Sequence, residues 1–187
     1  MNPIINDFPE AFETERLLIR APQPGDGPAV YESIQASQDD LKPWLPFAQH
    51  DQSEDDVEIN VRQAYIKFLN REDLRLLVFL KETGQLVASS GLHRIDWDVP
   101  KFEIGYWVDS RFSGKGYITE AVDGITSFAF EELQANRIEI RCDAKNAKSR
   151  AVPERLNFTL EGVLRNEDVS VDGNELRDTY VYAKIRE

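Results

Sequence analysis

Apolar positions along the chain switch between a period of two and a period near three and a half, the signatures of strand and helix. Thr14 to Arg20 (TERLLIR) alternates and predicts a first strand with Leu18 and its neighbours facing inward. Pro22, Pro24 and Gly25 stop it, and Asp26 is the expected N-cap of a helix over 29–37. The stretch 42–47 (KPWLPF) sets Pro43 and Pro46 around Trp44 and Leu45, which excludes regular helix and predicts a loop with an aromatic anchor. From Ser53 onward, acids at 54–56 precede Val57, Val61, Ala64, Tyr65 and Phe68 at helical spacing. That pattern predicts a helix over 53–73 whose acidic first turn complements the macrodipole. Residues 74–81 (LRLLVFLK) and 86–94 (LVASSGLHR), joined by a turn with Gly84, predict two buried strands.

The second half turns on the stretch 101–129. KFEIGYWV (101–108) reads as a strand, and R-x-x-G-x-G (Arg111, Gly114, Gly116) reads as a turn. Ile118, Ala121, Val122, Ile125, Phe128, Ala129 and Leu133 then fall on one face of a helix. The glycines permit positive φ, and successive amides opening a helix form a concave donor surface for an anion. Arg111 and Lys115 add charge, so a phosphate-bearing cofactor on this turn is the first expectation. Gly124 interrupts the helix at a cost of about 1 kcal/mol against alanine, which predicts close packing against the sheet. RIEIRC (137–142) alternates strictly and is a strand, and 146–156 is a short helix disturbed by Pro153. Residues 158–171 and 176–185 form a hairpin around Asp172-Gly173. The order β-α-α-β-β-β-α-β-α-β-β gives about seven strands and about four helices, with hairpins and one crossover helix. The expected class is α+β with a mixed, mostly antiparallel sheet, in a single domain over 1–187 with its core at about 14–186.

Composition narrows the reading further. With 41% hydrophobic and 30% charged residues the chain is of globular type, and no apolar run reaches the length of a membrane span. The first residues lack a signal-peptide pattern, and a single cysteine, Cys142, allows no internal disulfide, so a reducing cytoplasm is expected. A net charge of −12 argues against direct nucleic-acid binding, and it either favours basic partners or serves solubility alone. Gly114-Lys115 is followed by Gly116, which breaks a P-loop, and Thr119 stands where a dinucleotide fingerprint needs its third glycine. His50 and His93 are far apart without clustered ligands, so each is expected as a surface or satisfied polar residue and no metal site is expected. No G-x-S-x-G elbow supports a serine triad.

EIGYWVDSRFSGKGYITEA together with NAKSRAVPERLNF, TERLLIR, KPWLPF and NEDVSVDG resembles the RimJ/RimL-type N-acetyltransferases of the GNAT superfamily, in particular the ribosomal-protein-serine acetyltransferase group. The resemblance runs from about Thr14 to the C-terminus. It implies acetyl-CoA as cofactor, with the pyrophosphate on the backbone from Arg111 through Ser113, Gly114, Lys115 and Gly116 to Tyr117. It also implies a pantetheine arm paired to the edge of strand 101–108, ending at Val108, and hydrogen-bonded by Asn146 in a gap between splayed strands. Lys145, Lys148 and Arg150 form a basic patch that either helps hold the phosphates or is a solvated helix face.

The reaction implied is direct attack of a neutral primary amine on the thioester. The acceptor is most simply the α-amino group of a protein such as a ribosomal protein. A polyamine, amino acid or aminoglycoside is the alternative, and a non-catalytic CoA-binding module a third. Ser149 matches the serine proposed to protonate the leaving thiolate, or to stabilise it by a hydrogen bond; a capping or solvent-facing serine is the alternative. Many relatives use a tyrosine seven residues after the asparagine, and Pro153 stands there. Glu103 falls on the strand face opposite Phe102 and Ile104, where a carboxylate would take the amine's proton, bind its ammonium or pair with a structural cation. Asn157 replaces the family's usual glycine before Phe158, a change a left-handed helix end tolerates. A homodimer is carried as a general expectation, with no surface singled out.

Overall fold

The structure, a computed structural model, describes residues 3–186. Eight strands form one sheet in the order β1-β2-β3-β4-β5-β6-β8-β7. They are β1 (Ala11–Glu13), β2 (Leu17–Arg20), β3 (Leu74–Leu80), β4 (Leu86–Asp96), β5 (Lys101–Val108), β6 (Arg137–Asp143), β7 (Thr159–Val169) and β8 (Leu176–Ile185). The helices are α1 (Gly27–Leu41), α2 (Glu54–Leu69), α3 (Tyr117–Glu131) and α4 (Ala147–Arg155). Every described pairing is antiparallel except β5 with β6, which α3 connects as a crossover.

Alternation along the strands divides the core between two faces. Leu76, Val78, Leu92, Phe102, Ile104, Ile138 and Ile140 pack against α3 through Ala121, Val122, Ile125 and Phe128. On the other face Leu77, Phe79 and Leu86 meet Val30 and Ile34 of α1 and Val57 and Val61 of α2. The result is helices on both sides of a mostly antiparallel sheet, an α+β architecture with one strand more than the sequence pattern predicts.

The extra strand is β1. The chain turns at Thr14, whose N–H donates to Leu17 O at 2.9 Å, so the expected strand 14–20 shortens to Leu17–Arg20 and pairs with 11–13. Helix α1 runs past the predicted 37 to Leu41, because Val30, Ile34, Ser37 and Leu41 continue its buried stripe. Asp26 sits at its N-cap without a side-chain cap bond; its carboxylate is taken by Arg20, at 2.7 Å to each oxygen. Glu58 of α2 instead accepts from the Gly25 and Gly27 amides, at 2.8 Å each. Helix α2 starts on a capping box between Ser53 and Asp56 and ends at Leu69, before the predicted 73, as Arg71 takes φ 63°.

Candidate functional site

β5 and β6 are paired only from Lys101 with Arg137 to Glu103 with Glu139. Beyond that point they part, and a cleft of about 610 Å³ opens between Ile104–Val108 on one side and Arg141–Asp143 with the start of α4 on the other. Trp44, Pro43 and Leu45 of the loop after α1 line it too. Val108, Ser113, Asn146 and Ser149, singled out from sequence, all border this cleft.

The glycine turn leads from the end of β5 into α3. Gly114 and Gly116 adopt φ 76° and 79°, conformations costly for other residues, and Gly116 is the N-cap of α3. The amides of Phe112 and Ser113 are used inside the turn, by Asp109 O and Ser110 O. Those of Gly114, Lys115 and Gly116 carry no such bond among the described residues, and the first turn of α3 adds its own orphan donors.

Arg111 behaves differently from its neighbours. Its backbone N–H and its guanidinium both bind Asp109, whose side chain is fully buried, and Nη1 reaches Glu32 Oε1 at 2.6 Å. The Arg111 charge expected on the turn is thus paired with carboxylates of the protein itself. Burial opposes ionisation of Asp109, but the Arg111 hydrogen bonds prevail and hold its carboxyl below the usual range. Lys115 keeps its ammonium over the Phe112 ring, 5.2 Å from the centroid. Arg16, not picked out from sequence, braces the turn by binding Glu120 Oε2 at 2.6 Å and Lys115 O at 3.1 Å.

Asn146 caps α4, its side-chain oxygen accepting from Ser149 N at 3.1 Å. The Ser149 hydroxyl lies 3.4 Å from both Tyr106 Oη and Cys142 Sγ. Tyr106 is the residue the sequence reading missed. Pro153 has no N–H, so the carbonyl four residues earlier, Ser149 O, lacks its helical partner. The Tyr106 hydroxyl donates to that carbonyl at 2.7 Å, tying β5 to α4 across the cleft. Burial pushes the Tyr106 phenol and the Cys142 thiol up, so both are neutral at ordinary pH. The basic patch beside them is largely paired: Lys145 with Glu175, Lys148 with Asp40 and Arg150 with Glu154. Asn157 takes φ 58° at the end of α4, the left-handed conformation expected of it.

Glu103 stands where the two strands part. Burial pushes its carboxyl above the usual range, against the pull of Arg94, Arg141 and His93. Arg94 Nε is 3.4 Å away. His93 is its cross-strand partner, and Nδ1 of that ring bonds Asp73 Oδ2 at 2.7 Å. His93 also lines a second cavity, of about 310 Å³, between the sheet and the α1/α2 layer. The two cavities share Leu45, Gly105, Tyr106 and Trp107, so this short piece of β5 separates them.

The sequence matches the acetyltransferase (GNAT) domain over residues 16–159. The chain belongs to the GNAT family of N-acetyltransferases. Its activity is therefore acetyl transfer. YdaF of Bacillus subtilis, named provisionally as a ribosomal N-acetyltransferase, is 38% identical over 81% of this chain and 82% of its own length. The ribosomal-protein-serine acetyltransferase of Escherichia coli is 28% identical over 83% and 85%. RimL, a ribosomal L7/L12 α-N-protein acetyltransferase solved with coenzyme A, superposes with a TM-score of 0.86 at 22% identity, covering 94% of this chain and 98% of that one. Among the described residues no helix is long and apolar enough to cross a membrane, and no cluster of three or more His, Cys, Asp or Glu could hold a metal ion.

Proposed function

We propose that this GNAT enzyme transfers acetyl from acetyl-CoA to the α-amino group of a protein N-terminus, such as that of a ribosomal protein. The observation that carries the reading is the pair of cavities meeting at Gly105–Trp107, an arrangement that suits a thioester cofactor on one side of β5 and its acceptor on the other. Names of relatives that point to ribosomal proteins and an acidic chain of net charge −12 support the class of acceptor.

The chain's own groups fit acetyl-CoA. The amides of Gly114, Lys115 and Gly116 with the first turn of α3 are donors without internal partners, suited to a pyrophosphate. The edge of β5 from Ile104 to Val108 lacks a strand partner on the β6 side, which suits an amide-bearing arm. Asn146 spends its side-chain oxygen on the helix cap, leaving its amide N–H groups for that arm. Bound acetyl-CoA supplies the activated acetyl group.

Glu103, ionised, takes a proton from the incoming ammonium directly or through water, and its raised pKa suits that task. Ser149 donates a hydrogen bond to the departing sulfur, and Tyr106 fixes the backbone that carries Ser149. Steady-state thiol release with acetyl-CoA and a panel of N-terminal peptides, with mass spectrometry to locate the acetyl group, tests this reading. Acetylation at the α-amine of one or more peptides is expected. Turnover confined to lysine side chains or small amines would overturn it.

A further inference from the structure

The smaller cavity holds a charge that the chemistry above does not use. Arg75 lies on β3 between buried Leu74 and Leu76, and alternation sends it to the α1/α2 face. Its Nη1 donates to Asn60 Oδ1 at 2.6 Å and its Nε to Ser89 Oγ at 3.1 Å. Both partners are neutral. A guanidinium has five N–H donors, so most of them are not engaged by these bonds. No described carboxylate comes within the 4.0 Å of an ion pair.

Among the described residues nine of the fourteen arginines make an ion pair, and of the other five only Arg75 lines one of the two cavities, in a chain where 34 acidic residues face 22 basic ones. Arg20, Arg111 and Arg137 each hold a carboxylate at 2.6–2.7 Å. Around Arg75, by contrast, no Asp or Glu lines the cavity, and the other titratable groups there are engaged elsewhere, His93 with Asp73 and the Tyr106 hydroxyl with Ser149 O. Burial weakens the hold of Arg75 on its proton, and Asp73 and Asp26 offset this from a distance. A desolvated guanidinium held in place by two neutral groups is preorganised for a planar anion.

We propose that Arg75 receives a carboxylate of the acceptor, so that the enzyme prefers amines bearing an acidic group. The inference rests on the amine-acetylation reading above. β3 and β5 are two strand spacings apart, about 10 Å. An extended peptide advances about 3.4 Å per residue, so an Asp or Glu at its second or third position matches the span. A free amino acid would present its carboxylate nearer the amine.

The test uses the full chain with acetyl-CoA and C-terminally amidated peptides that begin with serine and carry aspartate or asparagine at the second or third position. Free serine and its methyl ester form a second arm. Aspartate peptides are expected to exceed asparagine peptides in kcat/KM by about 10-fold or more. The ratio should collapse toward one in Arg75→Gln and persist in part in Arg75→Lys. A purely structural arginine would lower both rates together and leave the ratio unchanged, which would overturn the proposal. So would equal rates for acid and amide in the unaltered enzyme. Preference for serine over its ester, without discrimination among peptides, would assign the carboxylate to a small acceptor and overturn the peptide source. Equilibrium binding of the same peptides in the presence of CoA reads the preference without turnover, so failure of the acetylation reading stays distinct. Equal affinity of acid and amide peptides in that measurement overturns the Arg75 assignment by itself.

Discussion

The hydroxyl of Tyr106 donates to the carbonyl of Ser149 at 2.7 Å, and the carbonyl is available because Pro153 cannot complete the helical bond to it. Pro153 stands where the resemblance leads one to expect a tyrosine in many relatives, and Tyr106 of the facing strand enters the same neighbourhood. Its bond holds α4 against β5 and so holds the Ser149 hydroxyl at the cleft.

Tyr106→Phe should therefore cost about 1 kcal/mol of stability, because Ser149 O loses its partner. It should also lower kcat while leaving acetyl-CoA affinity nearly unchanged. Ser149→Ala should lower kcat about 10-fold, a modest effect because an aliphatic hydroxyl is a poor acid. Thermal unfolding, CoA binding by calorimetry and steady-state thiol release measure the three quantities. Equal kcat in both variants and the parent enzyme would remove the pair from the mechanism.

The pH profile reports Glu103. As a proton acceptor it works ionised, and burial has raised its pKa, so kcat/KM should fall as pH drops through a value above the ordinary carboxylate range. Glu103→Gln should abolish that acidic limb and lower the plateau by about 100-fold. An identical limb in the variant would assign it to another group.

Arg111 is expected to act on stability more than on cofactor affinity. Arg111→Ala leaves the buried Asp109 carboxylate without its cation, at about 2–3 kcal/mol, reduced from a fully buried pair because the guanidinium is half exposed. Adding Asp109→Asn should recover part of the loss, and a double-mutant cycle by chemical denaturation measures the coupling. The folded-state pKa of Asp109 is depressed, so its contribution is present above the unfolded-state pKa and is lost as pH falls through the folded value. Asp109→Asn should flatten the acid side of the stability curve.

Gly124 has no room for a side chain. A Cβ there would lie 2.6 Å from Thr14 Cγ2, so Gly124→Val should destabilise by about 1–3 kcal/mol through overpacking. Its effect on kcat per folded molecule should be small, since the contact is with the β1–β2 hairpin; a melting temperature equal to the parent's would contradict the geometry.

Much of this molecule is written in local pattern. The strand 101–108, the glycine turn, the helix after it and the strand from 137 were legible because burial imposes periods of two and 3.6 on sequence. The tight packing of Gly124 was legible too, since glycine in a helix interior needs a reason. β1 was not, because 11–13 is too short to alternate and is fixed by the Thr14 turn. The end of α1 lies outside local pattern for a related reason: Ser37 is buried although polar, and it accepts from the amide of Ser110 at 2.8 Å.

By itself the sequence determined the α+β class, the order of the elements from β2 onward, the family resemblance and the location of the glycine turn, because these are carried by local pattern. Tertiary structure alone decided which charges remain free. Arg111 and Arg75 look alike in sequence as basic residues near apolar segments, yet one meets Asp109 and Glu32 while the other meets Asn60 and Ser89. Tyr106 and Ser149 are 43 residues apart. No local signal pairs them: a buried hydrogen bond is made by whichever groups the packed sheet and helices bring into contact, and that depends on the whole chain.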